Sequence, residues 1–354
     1  MHDLALYRKY RPKNFKEVLG QDHIVDVLES SVDTNKVSHA YLFVGSRGTG
    51  KTSVARIFAT SIGVSANDLY EIDAASNRGI EDIRELRDGA RVLPFDSKYK
   101  VYIIDEVHML SKDAWGALLK ILEEPPKHVI FILATTEFHK VPETIISRCQ
   151  VFVFKKASDV ILKKMLVDIA KKEDFELDGG SAELLAILGD GSFRDALGEL
   201  QKVLNFSLGH SRTGEAKSKK IKREDVEKIT GAPKTTLVND FISAIAEKNV
   251  EKGIMAVKKA SGENLDMKLY FKLIIEKFRV AIIIRYAPKL EDEMARDLGE
   301  TDLEFLKGLV AKDKDGLLRS PALTILLEAY QNMDNTFIAE LPLELALVKI
   351  LGKE

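Results

Sequence analysis

Cysteine is almost missing from this sequence: Cys149 is the only one in 354 residues. A single thiol excludes an internal disulfide and a cysteine-rich zinc site, and it suits a reducing compartment. Long apolar runs are missing as well. The most apolar stretch, Val280 to Ile284, is far too short to cross a bilayer. The opening Met1-His2-Asp3 lacks the basic-then-apolar pattern of a signal peptide. A soluble, cytoplasmic protein with no membrane partner is expected. Charge of one sign is also missing, since 53 basic residues stand against 55 acidic ones for a formal net charge of −2. A free-standing DNA-binding domain is normally more basic, so any nucleic-acid site has to be local or assembled from several subunits. Neither a structural repeat nor a coiled-coil heptad array is visible.

What is present reads as a folded chain of more than one domain. Its length exceeds what one hydrophobic core usually fills, and 45% hydrophobic with 31% charged residues is ordinary for a globular protein. Short β-rich runs alternate with helical patterns in the first part, which predicts a mostly parallel sheet covered by helices. The strands are expected at Tyr41 to Val44, Leu69 to Ile72, Val101 to Ile104, Val129 to Ala134 and Val151 to Phe154. A helix from Lys51 to Ser61 is stopped near Gly63, and one containing Ala114 to Glu123 has Ser111 as its N-cap and Pro125-Pro126 beyond its end.

After about residue 157 the strand signal disappears. Ile161, Met165, Leu166 and Ile169 keep helical spacing, as do Leu184, Leu185 and Leu188. Ser207 to Lys220 turns to Ser, Gly, Lys and Arg and predicts a loop. Helix resumes over Ile221 to Ile229, Gly231-Ala232-Pro233 marks a boundary, and the rest is expected to be helical. Leu237, Phe241, Ile242 and Ile245 form one apolar stripe, and Leu345, Val348 and Leu351 a late one. The reading is an α/β domain over 1–156, a small helical domain over 157–232 with its basic loop at 207–220, and a second helical domain over 233–354.

One motif carries chemistry unaided. Gly45-Ser46-Arg47-Gly48-Thr49-Gly50-Lys51-Thr52 fits the phosphate-loop pattern in full, between an apolar strand and a helix. Its glycines let backbone N–H groups curl around phosphates, and the helix start that follows favours negative charge. Lys51 would reach the β and γ phosphates, Thr52 would ligate Mg²⁺, and Ser53 follows in the same turn. Tyr102-Ile103-Ile104-Asp105-Glu106 supplies the acidic half: Asp105 would hold Mg²⁺ and Glu106 would polarise the attacking water. Hydrolysis also needs positive charge at the γ-phosphate. Arg148 and Arg194 are candidates, and on the residues alone each reads more readily as a surface ion pair than as a catalytic group. Tyr7, Tyr10, Val18 and Gln21 loosely mark an adenine pocket.

Several longer motifs resemble one family. Tyr10-Arg11-Pro12-Lys13-Asn14-Phe15 with Val18-Leu19-Gly20-Gln21 resembles the opening of clamp-loader ATPases of the AAA+ type. Asp105-Glu106-Val107-His108-Met109-Leu110-Ser111, Ala117-Leu118-Leu119-Lys120, Leu122-Glu123-Glu124-Pro125-Pro126 and Leu133-Ala134-Thr135-Thr136 resemble the bacterial DNA polymerase III gamma/tau subunit. The resemblance is dense over residues 4–205 and weak beyond. It implies an AAA+ ATPase domain, a helical lid and an all-α oligomerising collar. It implies Thr136 as a first sensor, Arg148 in Ser147-Arg148-Cys149 as a finger reaching a neighbour's ATP, and Arg194 as a second sensor on the chain's own nucleotide. It also implies that the helix after Tyr70-Glu71-Ile72-Asp73 contacts DNA phosphates, through Arg78 and Arg84. The same helix carries Glu81, Asp82, Glu85 and Asp88, so an ordinary salt-bridged surface stays open.

The function expected from the resemblance is an ATP-hydrolysing motor within a DNA polymerase III holoenzyme, without a polymerase site of its own. Further copies, delta-type and delta-prime-type subunits, the sliding clamp and primed template DNA would be its partners. A branch-migration type of DNA motor and a non-hydrolysing scaffold subunit are the alternatives. One departure stands out: Ile62 to Asp68 bridges, without a cysteine, the place where the family inserts a four-cysteine zinc module, so ATP and Mg²⁺ but no zinc are expected. The long tail of tau is expected to be absent after Glu354. Among smaller signals, the basic run from Arg212 to Arg223 reads as solvated, His108 as helix-start packing or hydrogen bonding, and Trp115, Phe131 and Cys149 as core.

Overall fold

A computed structural model describes residues 4–210, 220–288 and 300–352. It divides into two compact units, one from Met1–Leu162 with Gly189–Gly198 and one from Lys163–Leu188 with Glu199–Glu354.

The first unit is built on a five-stranded parallel sheet. Its strands are β1 (Ala40–Val44), β2 (Leu69–Asp73), β3 (Lys100–Asp105), β4 (Val129–Thr135) and β5 (Gln150–Val153), in the spatial order β2-β3-β4-β1-β5. All of β1 and β4 is buried, and so is β3 up to Ile104, because helices cover both faces. Alternate residues divide between those faces. Leu42, Tyr102, Ile104, Phe131 and Leu133 pack under helices α4 (Ile80–Ala90) and α5 (Lys112–Glu123). Tyr41, Phe43, Val101, Ile103, Ile130 and Ile132 pack under α2 (Asp22–Asp33) and α3 (Lys51–Ser61). Ser111 caps α5 by accepting the Ala114 N–H at 3.2 Å. Trp115 and Phe131 lie in the core, and burial pushes the half-buried Cys149 thiol up to about 12.

Asp68, just before β2, is fully buried and accepts the Phe95, Asp96 and Ser97 N–H groups at 2.5, 2.8 and 2.8 Å. Burial pushes its carboxyl up, but these bonds outweigh that and hold it down at about 2. The short link from Ile62 to Asp68 is thereby fastened to the segment before β3.

Among its described residues, the second unit has one short pair of strands, Glu176–Leu177 with Lys220–Ile221, in parallel, and its other regular elements are helices. That pair corrects the expectation of no strand after residue 157; runs of two residues leave no periodicity to read. Helix α9 (Phe193–His210) extends into the predicted loop, and 211–219 lies outside the described residues. Gly231 closes α10 (Arg223–Thr230) at φ +72°, the left-handed conformation that favours glycine. Leu237, Phe241, Ile242 and Ile245 are all buried in α11 (Thr235–Ala246). The late stripe is different. In helix Leu341–Leu351 the buried face is Leu343, Ala346 and Leu347, whereas Leu345 and Val348 are exposed. This helix is apolar almost all round, so spacing alone does not choose the packed face. Among the described residues no helix is long and apolar enough to cross a membrane.

A charged cluster lies inside this unit. Lys277, on α13 (Met267–Tyr286), donates to Asp302 at 2.7 Å, and both are buried. Arg223 meets Glu183 at 3.0 Å, Glu227 at 3.4 Å and Asp302 at 3.6 Å. Burial lowers the Lys277 ammonium, with Asp302 opposing, and burial raises the Glu183 carboxyl, with Arg223 opposing.

Two stability predictions follow from these anchors. Asp68→Asn is expected to lower the melting temperature at pH 7. Because the folded carboxyl is depressed, the wild type holds this contribution above about pH 4 and loses it as pH falls toward 2. The gap between variant and wild type in a pH series of thermal melts should therefore close on acidification. Asp302→Ala leaves the Lys277 ammonium buried and unpaired, so a loss of about 3–5 kcal/mol in denaturant unfolding is expected, against much less for the double variant Lys277→Met with Asp302→Leu.

Candidate nucleotide-hydrolysis site

The site begins with where the sheet ends its strands. Strand β4 is hydrogen-bonded between β1 and β3, with Val44 level with Thr135 and Ile104 level with Leu133. The Gly45 N–H donates to the Thr135 carbonyl at 3.1 Å. The phosphate-loop sequence after β1 and the acidic pair at the end of β3 therefore flank Thr135-Thr136 at the end of β4.

The loop itself is a backbone cradle. Gly48 and Gly50 take φ of +74° and +102°, and Gly50 precedes α3 with no side chain capping the helix. The first N–H groups of α3 are left for an anion. Thr49 is buried and closes the turn by donating to the Ser46 carbonyl at 2.8 Å, while Ser46 and Arg47 are exposed. Lys51 is buried and bonds to the Gly45 and Ser46 carbonyls at 2.7 and 3.0 Å. Burial lowers its ammonium, and the fields of Glu106 and Asp105 oppose that.

The acidic pair is fixed from both sides. Thr52 Oγ1 donates to Asp105 Oδ2 at 2.8 Å, and the Glu106 N–H donates to Asp105 Oδ1 at 3.0 Å. Glu106 sits at φ +48°, unusual for a residue with a Cβ, at a cost of about 1–3 kcal/mol that the packing around it must hold. Its carboxylate is turned toward β4, where Thr136 Oγ1 donates to Glu106 Oε2 at 3.1 Å. Lys51, Thr52, Asp105, Glu106 and Thr136 thus form one hydrogen-bonded and electrostatic group.

Arg194 belongs to the same unit. The Phe193 N–H donates to the Gly48 carbonyl at 3.0 Å, which fastens the start of α9 to the cradle. The Arg194 guanidinium stands 5.8 Å from the centre of the Tyr7 ring, and its charge is felt at Lys51. Tyr10 caps α1 (Leu6–Lys9) through its N–H, and Val18 packs against the α2–α3 core face. Gln21 is buried, donating to the Lys155 carbonyl at 2.8 Å and accepting the Lys155 N–H at 3.2 Å. Those bonds make it a clamp between the N-terminal segment and the end of β5.

Arg148 is not brought to this group. It follows α6 (Glu143–Ile146) and binds Glu123 at 2.7 Å, the Thr144 carbonyl at 2.7 Å and Ser147 at 3.2 Å. Arg78 donates to the Ala75 carbonyl at 2.7 Å, and Arg84 pairs with Glu81 at 2.6 Å on the exposed face of α4.

Sequence reasoning passes over two neighbours of the loop. Arg11 donates to Ser53 Oγ at 2.8 Å, in the fields of Arg56, Glu71 and Arg194; burial, then Arg56, lowers its guanidinium. Its place inside Tyr10-Arg11-Pro12 was the available signal. Ser192 is buried so close to the loop that a Cβ built on Gly48 would stand 1.9 Å from its Oγ. No signal in the chain marks that approach.

Comparison with known proteins reaches the same region. The family described as DNA polymerase III, delta subunit, matches residues 20–73 and 63–158. The gamma subunit of DNA polymerase III from Buchnera aphidicola subsp. Baizongia pistaciae is 33% identical over 81% of this chain and 80% of its own length. The chain belongs to the DNA polymerase III gamma/tau family. The tau subunit of Bacillus subtilis is 38% identical over 98% of this chain and the gamma/tau subunit of Mycoplasma genitalium 38% over 82%. The chain spans 63% and 50% of those two relatives. Among solved structures, the Thermotoga maritima RuvB Holliday junction branch migration motor superposes with a TM-score of 0.52 at 20% identity, over 73% of this chain and 86% of that one. That likeness is one of fold.

The Gly48 contact yields a prediction. Gly48→Ala should weaken ATP binding at least tenfold by titration with a fluorescent analogue, because both the left-handed φ and Ser192 oppose a side chain. Binding within twofold of wild type would show that the cradle gives way without consequence.

Proposed function

We propose that this gamma/tau family member is the ATP-hydrolysing motor subunit of a replicative clamp loader, opening the sliding clamp and releasing it on primed template DNA. What carries the reading is the junction of three strand ends: Thr52 on Asp105, Thr136 on Glu106, and the Lys51 ammonium held by carbonyl oxygens beside them. A pure nucleotide binder has no use for a second carboxylate there.

The residues fit ATP with Mg²⁺: an uncapped helix start for phosphate, and a hydroxyl with a carboxylate already 2.8 Å apart for the cation. Mg²⁺ bound there would neutralise charge between the β and γ phosphates. Thr52 and Asp105 hold that position. Residues Gly45 to Ser53 wrap the phosphates, and Tyr7, Tyr10, Val18 and Gln21 border the adenine side. Lys51 withdraws charge from the γ-phosphate, Glu106 polarises a water for in-line attack, and Thr136 orients both. Arg194 reports on the chain's own nucleotide. Arg148, tied far from that group by Glu123 and Thr144, is suited to a neighbour's ATP, which makes oligomerisation with further copies and delta-type and delta-prime-type subunits part of the mechanism. Arg78 and Arg84 would meet DNA phosphates without reading bases. In this reading residues 1–156 are the ATPase domain, 157–232 the lid and 233–354 the collar. The protein works in the cytoplasm, without zinc, since Cys149 is its only thiol.

Steady-state hydrolysis with partner subunits tests it. Clamp plus primed DNA should raise the rate. Glu106→Gln should abolish hydrolysis, and Arg148→Ala the stimulated part, while ATP still binds. Stimulation by DNA alone, with clamp and partners irrelevant, would point instead to a translocating motor.

A further inference from the structure

A largely buried imidazole stands beside the proposed water-polarising carboxylate. His108, in the short turn after Glu106, has a side chain only 9% exposed. Its Nδ1 lies 3.0 Å from Thr135 Oγ1 and 3.4 Å from Glu106 Oε2. The Thr135 hydroxyl is buried and already accepts the Glu137 N–H at 2.9 Å. Glu106 Oε2 is therefore approached from two sides, by Thr136 Oγ1 at 3.1 Å and by the imidazole. Consecutive residues at the end of β4 hold the two ends of this chain: Thr135, the last of the strand, holds His108, His108 faces Glu106, and Thr136, just beyond the strand, closes on the same oxygen.

The tautomer follows from the charges. An Nδ1 lone pair turned to a carboxylate oxygen would be repelled, whereas an Nδ1–H meets two acceptors, Thr135 Oγ1 and Glu106 Oε2. The separation of 3.4 Å is long for a hydrogen bond and ordinary for attraction between a dipole and a charge, so the ring steers the carboxylate without capturing it. A water-polarising carboxylate needs this. Glu106 hangs on a left-handed residue with a partly exposed side chain, and free rotation would disperse it over rotamers that do not face the γ-phosphate.

We propose that His108 is a positioning residue for the water-polarising carboxylate, acting through Nδ1 between Thr135 and Glu106. This rests on the reading of Glu106 as the base. The site would thereby read the placement of the β4 end twice, once through each threonine.

The test replaces His108 in three ways and measures hydrolysis by the full chain assembled with its partner subunits. Asn sets an amide N–H where Nδ1 stands, Gln sets one nearer Nε2, and Leu keeps bulk without polarity. His108→Leu and His108→Gln should lower kcat at least tenfold, with the ATP dissociation constant within twofold and the melting temperature little changed. His108→Asn should recover half of the wild-type kcat or more. The role is overturned if Asn is as slow as Leu, if affinity falls with kcat, or if all three match the wild type. Glu106→Gln alone separates the levels: wild-type hydrolysis there removes the base and its positioner together, whereas an inactive Glu106→Gln with a normal His108→Leu removes only the positioner.

Discussion

Strand β4 is paired with β1 on one side and β3 on the other, and this double pairing sets the distances within the proposed site. Moving β4 by one residue would turn Thr135 and Thr136 to opposite faces and exchange the two core faces along with them. The register is held by burial, since Ile130, Phe131, Ile132 and Leu133 alternate between two closed cores. Polar groups that no apolar contact could hold in place are thus positioned by the apolar residues just before them. The Gly45 N–H on the Thr135 carbonyl shows the effect, for it joins the first residue of the phosphate cradle to the strand that carries the polar pair.

The same burial explains what could be read from the sequence. A strand covered on both faces has to be a continuous apolar run, so β1, β3 and β4 were placed to within a residue, with Gly45 and Asp105-Glu106 at their ends; the more exposed edge strands β2 and β5 were placed as closely from their β-rich residues alone. The helix beginning at Lys51 and the cap at Ser111 were legible for a related reason, because each is a local hydrogen-bonding solution. Where the fold depends on distant partners, the sequence was silent. The two-residue strands at Glu176 and Lys220 are far apart in the chain and meet only in the fold. The face of helix Leu341–Leu351 is selected by neighbours, and Gly253 shows how close they come, since a Cβ there would lie 2.3 Å from a Leu347 methyl. His108 was read as a residue that packs or bonds locally. Its bonding partner, Thr135, is 27 residues on, and only the β4 register brings it near.

The charged cluster of the helical unit obeys other rules. Lys277 and Arg223 stand among Glu183, Glu227 and Asp302, and the Thr235 N–H and hydroxyl both serve Glu227 at 2.9 and 2.7 Å. Apolar residues of equal volume could give as stable a core or a better one. What ions and directed bonds add is discrimination, because a helix rotated or shifted by a turn would bury a charge without its partner. A unit made of apolar helices with several near-equivalent faces is where such discrimination has most to decide.

The resting partners of Arg148 bear on how a finger could work in trans. Its pair with Glu123 is bidden by proximity on a partly exposed surface, with side chains 34% and 44% exposed. Pairs of that kind contribute about 0–1 kcal/mol, because water screens them and long side chains lose freedom to form them. An arginine brought to a developing phosphate charge in a water-excluded joint between chains gains far more. On the proposed trans role, leaving Glu123 would be a small cost beside what engagement supplies, and Glu123 would hold the guanidinium until then. A buried, fully paired arginine would resist that exchange, and one without partners would be costly to orient. The intermediate exposure of Arg148 is what the proposed role would need, with a working partner on another molecule.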